Sequence, residues 1–379
     1  MLRSGEWFNN SYSKGSKKMK ALRKMFGSVG CALVLAFSGV PAWADHHADA
    51  SAGASQTSNN KAPYVRPDVQ AYLNNLKANP YPEFTRELLA MIRKMPPAMM
   101  KSRGDLPVGE LATIKDVTMQ GPGGEIRMRL YDPRVEREAG PVVVFYHGGA
   151  YILGSIESHE GLTAEMARRL DLPVISVEYR LAPENPWPAA VDDGEASARW
   201  IAENGEIFGR IFTGLIISGD SAGGNLTLVT THALMDKPGA LPVIMQLPIY
   251  PATDRTKKYP SAKKFSQGFG LDSLDDNKHF YAADPQSIRA SPLLADLTGL
   301  PPTVLVTAAL DPLRDEGRAY AAKLVAAGVP TIYFEVKGNI HGFAIYRKAI
   351  PSAQEDTVAF LALAKAMLDE VVKSMSYEK

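Results

Sequence analysis

Short apolar runs alternate along this chain with longer stretches in which apolar residues recur every three or four positions. The runs at Ile126–Tyr131, Val142–Tyr146, Val174–Val177, Leu215–Ile217, Val243–Leu247, Val304–Thr307 and Thr331–Phe334 predict strands. Between several of them, the spacing predicts helices over Glu160–Leu170, Ala190–Glu203, Ala222–Met235 and Arg314–Ala327. A closing helix places Phe360, Ala364, Met367 and Val371 on one side. Such alternation predicts an α/β fold, with a mostly parallel central sheet covered by helices on both faces.

Two regions depart from this rhythm. From Pro67 to about Met99 the pattern is helical, with Val69, Leu73 and Leu76 on one face and Phe84, Leu88, Met91 and Ile92 on another. Asn79–Pro82 separates those two helices, and Pro96-Pro97 ends the second. Between Thr253 and Ser291 the chain is polar, helical in places (Asp272 to Ala283), and has no good strand, so it reads as an insertion after a core strand.

Charge changes the picture at the amino terminus. Residues 1–44 hold seven Lys/Arg and the single acid Glu6, which leaves 35 basic and 40 acidic side chains, about −5, in the remainder. A mildly acidic body gives no reason to expect nucleic-acid binding. The basic stretch Lys14–Lys24, the apolar Val29–Phe37 and the small-x-small Ala42-Trp43-Ala44 predict a secretory signal over 1–44, removed on export to the periplasm or beyond. The apolar run falls short of the roughly 20 residues a membrane span requires, so no stable span is expected after cleavage. Met19 is an alternative start. Residues 45–62, small and polar, predict a disordered linker, in which His46 and His47 read as solvated chain rather than metal ligands. Cys31, the only cysteine, lies inside the signal; no disulfide or thiolate nucleophile is expected in the mature chain.

The candidate chemistry centres on Gly219-Asp220-Ser221-Ala222-Gly223, a G-x-S-x-G that follows a predicted strand and opens a predicted helix. A serine on such a turn presents its hydroxyl above the carboxyl edge of the sheet, with the Ala222 N–H toward a developing oxyanion. His147-Gly148-Gly149-Ala150-Tyr151 directly follows the Val142–Tyr146 strand, where small residues allow backbone donors to reach a tetrahedral intermediate. A serine hydroxyl needs a base, and the base an orienting carboxylate. Of the histidines after Ser221, His232 falls within the helix that Ser221 opens and His279 in the polar insertion. His341 follows the Thr331–Phe334 strand in a Gly-flanked loop, and Asp311 follows the Val304–Thr307 strand. Asp315, the rival acid, falls in the next predicted helix.

These segments resemble the hormone-sensitive-lipase-like esterases, the bacterial family IV carboxylesterases of the GDSAG type. The resemblance is carried by HGGAY at 147–151, YRLAPE at 179–184, PAAVDD at 188–193, GDSAGGN at 219–225, DPLRDEG at 311–317 and IHGF at 340–343. It implies the α/β-hydrolase fold over about 106–379, a helical cap made from 63–105 and the insertion at about 253–291, and a triad of Ser221, Asp311 and His341. It further implies an oxyanion hole from the backbone of Gly148, Gly149, Ala150 and Ala222. The family's loop usually reads H-G-G-G, so Ala150 is a departure, and a methyl group there is expected only at negative φ. Arg180 and Glu184 are expected to fix the turn below the site, with Asp192 and Asp193 of similar standing. Tyr151, Phe269 and Phe343 are expected as pocket walls.

The expected reaction is two-step acyl transfer on a small-molecule carboxylic ester of short to medium acyl chain, with no metal or organic cofactor. A second copy of the chain, as a homodimer, is the one macromolecular partner left open. The alternatives are an esterase for a special substrate (acetylated sugar, phenolic ester or lactone) and a non-catalytic ligand-binding protein on the same fold, against which His341 argues.

Overall fold

The structure is a computed structural model that describes residues 62–272 and 278–377. The expected signal at 1–44 and the linker up to residue 61 lie outside the described residues, as does the middle of the expected helix Asp272–Ala283. Eight strands form one sheet in the order β1-β2-β4-β3-β5-β6-β7-β8. They are β1 Thr113–Gly121, β2 Gly124–Asp132, β3 Gly140–Tyr146, β4 Val174–Val177, β5 Phe212–Asp220, β6 Val243–Ile249, β7 Thr303–Leu310 and β8 Thr331–Ile340. The β1–β2 and β2–β4 pairs are antiparallel, and every pair from β4 through β3 to β8 is parallel.

The helices are α1 Pro67–Ala78, α2 Arg86–Arg93, α3 Ile156–Leu170, α4 Ala189–Glu203, α5 Ala222–Asp236, the short α6 Pro260–Lys264 and α7 Lys278–Tyr281, α8 Arg314–Ala326, and α9 Ser352–Tyr377. Strand alternation divides the core. Val143 and Phe145 of β3 pack in the cluster that holds Ile156 and Leu162 of α3 and Phe360 and Ala364 of α9. Val142, Val144 and Tyr146 join Val191 and Ile201 of α4 and Leu226 and Val229 of α5 on the other face. Burial on both faces explains why these strands are continuous apolar runs.

Three sequence expectations shift. β1 was not among the expected strands: it is an edge strand of which only Val117 and Met119 are buried, so Lys115 and Asp116 mask its pattern. In α2 the chain buries Leu89 and Ile92, while Leu88 is half-buried and Phe84 precedes the helix, which starts at the Thr85 cap. Ser155, through a capping box with Ser158, starts α3 four residues before the expected Glu160.

Candidate active site

Ser221 stands between β5 and α5 with φ 56° and ψ −113°, a conformation that L-residues rarely hold. The turn closes this tightly because two glycines leave room. A Cβ on Gly219 would lie 2.4 Å from the Gly223 carbonyl oxygen, and one on Gly223 would lie 1.9 Å from that of Tyr146. The Ser221 N–H donates to Ile249 O at 2.9 Å, which ties the turn to the end of β6.

The carboxyl ends of β5, β7 and β8 bring three functional groups together. His341, directly after β8, has Nε2 2.7 Å from Ser221 Oγ and Nδ1 2.8 Å from Asp311 Oδ2. Asp311, directly after β7, is fully buried and its other oxygen accepts the Leu313 N–H at 2.7 Å. A carboxylate only accepts, so the imidazole proton sits on Nδ1 and Nε2 keeps a lone pair for the serine hydroxyl. Asp315 lies in α8, where it accepts from Arg314 and from Ser261 N. His232 faces Tyr320 from α5, and His279 is exposed beside Phe280.

The 147–151 loop differs from expectation at two residues. The Gly148 N–H donates to Asp220 Oδ1 at 2.8 Å, so it is spent on the carboxylate next to Ser221 and withdrawn from the oxyanion hole. Ala150 has φ 55°, not the negative value expected for a methyl-bearing residue, and Tyr151 follows at φ 64°. The N–H groups of Gly149, Ala150 and Ala222 find no acceptor among the described residues. Ala222 owes this to its place at a helix start, and Ala150 and Ala222 both line the cavity beside Ser221.

Several residues that hold this loop escaped the sequence reading. Arg93 of α2 donates from one guanidinium nitrogen to the carbonyls of Ile152 (2.6 Å) and Ala182 (2.9 Å) and faces Glu184 at 3.7 Å. Ala182 N donates back to Tyr151 O, and Tyr179 Oη to His147 O. The 179–184 segment is thus the outer brace of the loop. Arg180 forks onto buried Asp193 instead of working with Glu184, and Asp192 pairs with Arg289.

Beneath the loop lies a buried polar cluster. His159 Nε2 lies 3.2 Å from Asp220 Oδ1, and its Nδ1 lies 2.8 Å from Ser158 Oγ, whose own proton goes to Ser155 O. Burial opposes charge on both partners, yet Asp220 lifts His159 above its ordinary value and His159 holds Asp220 below its own. Burial and the neighbouring His159 push His147 down to about 3, which keeps it neutral where it stacks on Tyr179. Asp220 sat in plain sight within the motif; His159 carried no signal beyond its place near a helix start.

A cavity of about 280 Å³ opens beside Ser221. Tyr151 lines it as expected; its hydroxyl donates to Asn225 Oδ1 and its ring stacks on Tyr281 at 3.7 Å. Phe343 does not line it: the side chain is fully buried against Tyr250 and Phe360. Phe269 is also absent from the wall and packs edge-on against Phe265. Both aromatics close core surface instead. Arg255, Tyr281 and Glu316, none of them expected, stand in the wall. Burial pushes the Glu316 carboxyl up to about 8. Among the described residues no cluster of three metal-ligating side chains occurs, and no helix is long and apolar enough to cross a membrane.

Comparison with known proteins places this geometry. A family model described as alpha/beta hydrolase fold matches residues 143–345. Esterase LipI of Mycobacterium tuberculosis is 34% identical over 271 residues, 69% of this chain and 84% of its own. An arylesterase of Saccharolobus solfataricus is 36% identical over 289 residues, 74% of this chain and 91% of its own. Among solved structures, an ester hydrolase from the metagenome of Lake Arreo, complexed with a derivative of bipyridine phosphonate, is similar with a TM-score of 0.74. It is 36% identical, and the match covers 80% of this chain and 99% of that one.

Proposed function

The chain belongs to the α/β-hydrolase family and is a carboxylic-ester hydrolase of its hormone-sensitive-lipase-like branch, and from that premise we propose that Ser221, His341 and Asp311 carry the reaction. The observation that bears most weight is the unbroken chain of contacts from Ser221 Oγ through His341 to Asp311, at 2.7 and 2.8 Å. His341 Nε2 takes the serine proton as Oγ attacks the ester carbonyl. The N–H groups of Gly149, Ala150 and Ala222 receive the oxyanion, each such donor contributing roughly 3–4 kcal/mol. The tetrahedral intermediate collapses as His341 protonates the leaving alcohol, and water then repeats the cycle to release the acid. Asp311 orients the imidazole and stabilises its charged form.

A cavity of about 280 Å³ supports acyl groups of short to medium length, at the lower end of small-molecule sites. The proposed export rests on the residue pattern of 1–44 alone. The purified protein is expected to cleave short-chain p-nitrophenyl esters and to be inactivated by a serine-directed phosphonate. Ser221→Ala should lower turnover by about 10⁶, as in a comparable triad. Wild-type turnover in that variant would overturn the assignment.

A further inference from the structure

The stretch that follows β6 lays an unusual charge pattern into the Ser221 cavity. Of five successive residues, Asp254 to Lys258, three are cations, and all five line the wall. The anions that share this wall are engaged elsewhere or uncharged. Asp254 accepts from Thr256 N, Thr256 Oγ1 and Tyr259 Oη, and Asp272 accepts from Gly268 N. Glu316 accepts from Thr253 N, and burial keeps its proton on at neutral pH. With Glu316 protonated, three cations stand against the two carboxylates Asp254 and Asp272 on this wall, an excess of one positive charge.

Arg255 is the best placed of the three cations. Its guanidinium carbon lies 5.4 Å from the Tyr151 ring centre and 5.6 Å from that of Tyr281, beside the edges of the stack that the two rings form, and Tyr151 is anchored through Asn225. A guanidinium held against a fixed aromatic pair is pre-organised. Its Nε is buried and has no hydrogen-bond partner, and it forms no ion pair with a carboxylate among the described residues. The Tyr281 hydroxyl, in the same wall, is likewise buried and unpaired. These two buried donors find no acceptor among the described residues, and the remainder of the Arg255 guanidinium is the part open to the cavity that it lines.

We propose that this cavity selects esters that carry a second, anionic group, a carboxylate in the simplest case, received by Arg255 with the Tyr281 hydroxyl beside it. The planar guanidinium suits a carboxylate, and charge-assisted bonds in a partly water-excluded site discriminate strongly against a neutral isostere. The assignment rests on Ser221 as the nucleophile of the same cavity.

The test compares kcat/KM for mono-p-nitrophenyl succinate against p-nitrophenyl butyrate, and for 4-acetoxybenzoate against phenyl acetate. The first pair places the anion on the acyl side and the second on the alcohol side. The anionic ester is expected to win in at least one pair. Arg255→Met should lower that anionic-to-neutral ratio by about 10-fold or more, Arg255→Lys less, and raised ionic strength should compress it. A ratio that Arg255→Met moves by less than about 3-fold in both pairs overturns the proposal. Calorimetry on the Ser221→Ala protein decides it without turnover: monomethyl succinate should bind more tightly than methyl butyrate, or 4-acetoxybenzoate more tightly than phenyl acetate, on the side that turnover picks out, and Arg255→Met should abolish the difference. Equal binding within both pairs overturns the proposal, whereas loss of all ester cleavage in the wild type would instead count against the triad.

Discussion

At the scale of single residues, Ala150 and Glu316 are held in states they would not choose in isolation. The left-handed backbone at Ala150 (φ 55°) costs an L-residue roughly 1–2 kcal/mol. Ala150→Gly removes that strain but adds about 0.4–1 kcal/mol of unfolded-chain entropy. The net expectation is a gain of about 0.5–1 kcal/mol, read from urea unfolding. Glu316 is buried with its carboxyl near 8, against 4.5 for an unburied group. Between those values the unfolded chain has released a proton that the folded chain keeps, so stability falls as pH rises through the window and levels off above 8. Glu316→Gln can still accept from Thr253 N and should flatten that slope, by a few kcal/mol at most, in unfolding measured from pH 5 to 9. Neither state was legible in the sequence. The positive φ at 150 and the burial of residue 316 come from chain segments that meet only in the folded molecule.

At the scale of elements, the junction between β5 and α5 depends on backbone packed against backbone. Gly223 has no room for a side chain against Tyr146 O and His147 O at the end of β3. Gly223→Ala should therefore destabilise by about 3 kcal/mol, the upper end for overpacking, and lower the thermal midpoint along with turnover. Much of this level was readable. Strands buried on both faces announce themselves as apolar runs, and the triad residues sit directly after β5, β7 and β8, at strand ends where the G-x-S-x-G motif and the order of the predicted strands suggested them. What could not be read depends on long-range partners. Only the fold shows that Asp220 takes the Gly148 N–H across 72 positions. An aromatic two residues past His341 looks the same in sequence whether it faces a pocket or, as Phe343 does, the core. β1 hid because half its residues face solvent.

At the scale of the whole molecule, distant segments are tied by charge. Arg347, beyond the His341 loop, and Asp105, ahead of β1, form a bidentate pair at 2.6 and 2.9 Å with both side chains almost fully buried. Replacing the pair with apolar residues need not hurt, but removing one partner leaves a buried charge alone. Asp105→Ala should cost about 3–5 kcal/mol in equilibrium unfolding. Arg66 makes a second such tie to Asp356 of α9, and Arg93 links α2 to the oxyanion loop. Together these ties join the segments before β1 to the frame of the site.

The two halves of the site have different addresses in the chain. The reacting groups hang from three strand ends of one sheet, where any change disturbs the whole framework. The charged side of the cavity comes from the short polar stretch after β6, which carries little of the core. Lineages can therefore diversify in diet by rewriting a few consecutive codons, while the hydrolytic engine passes down unaltered.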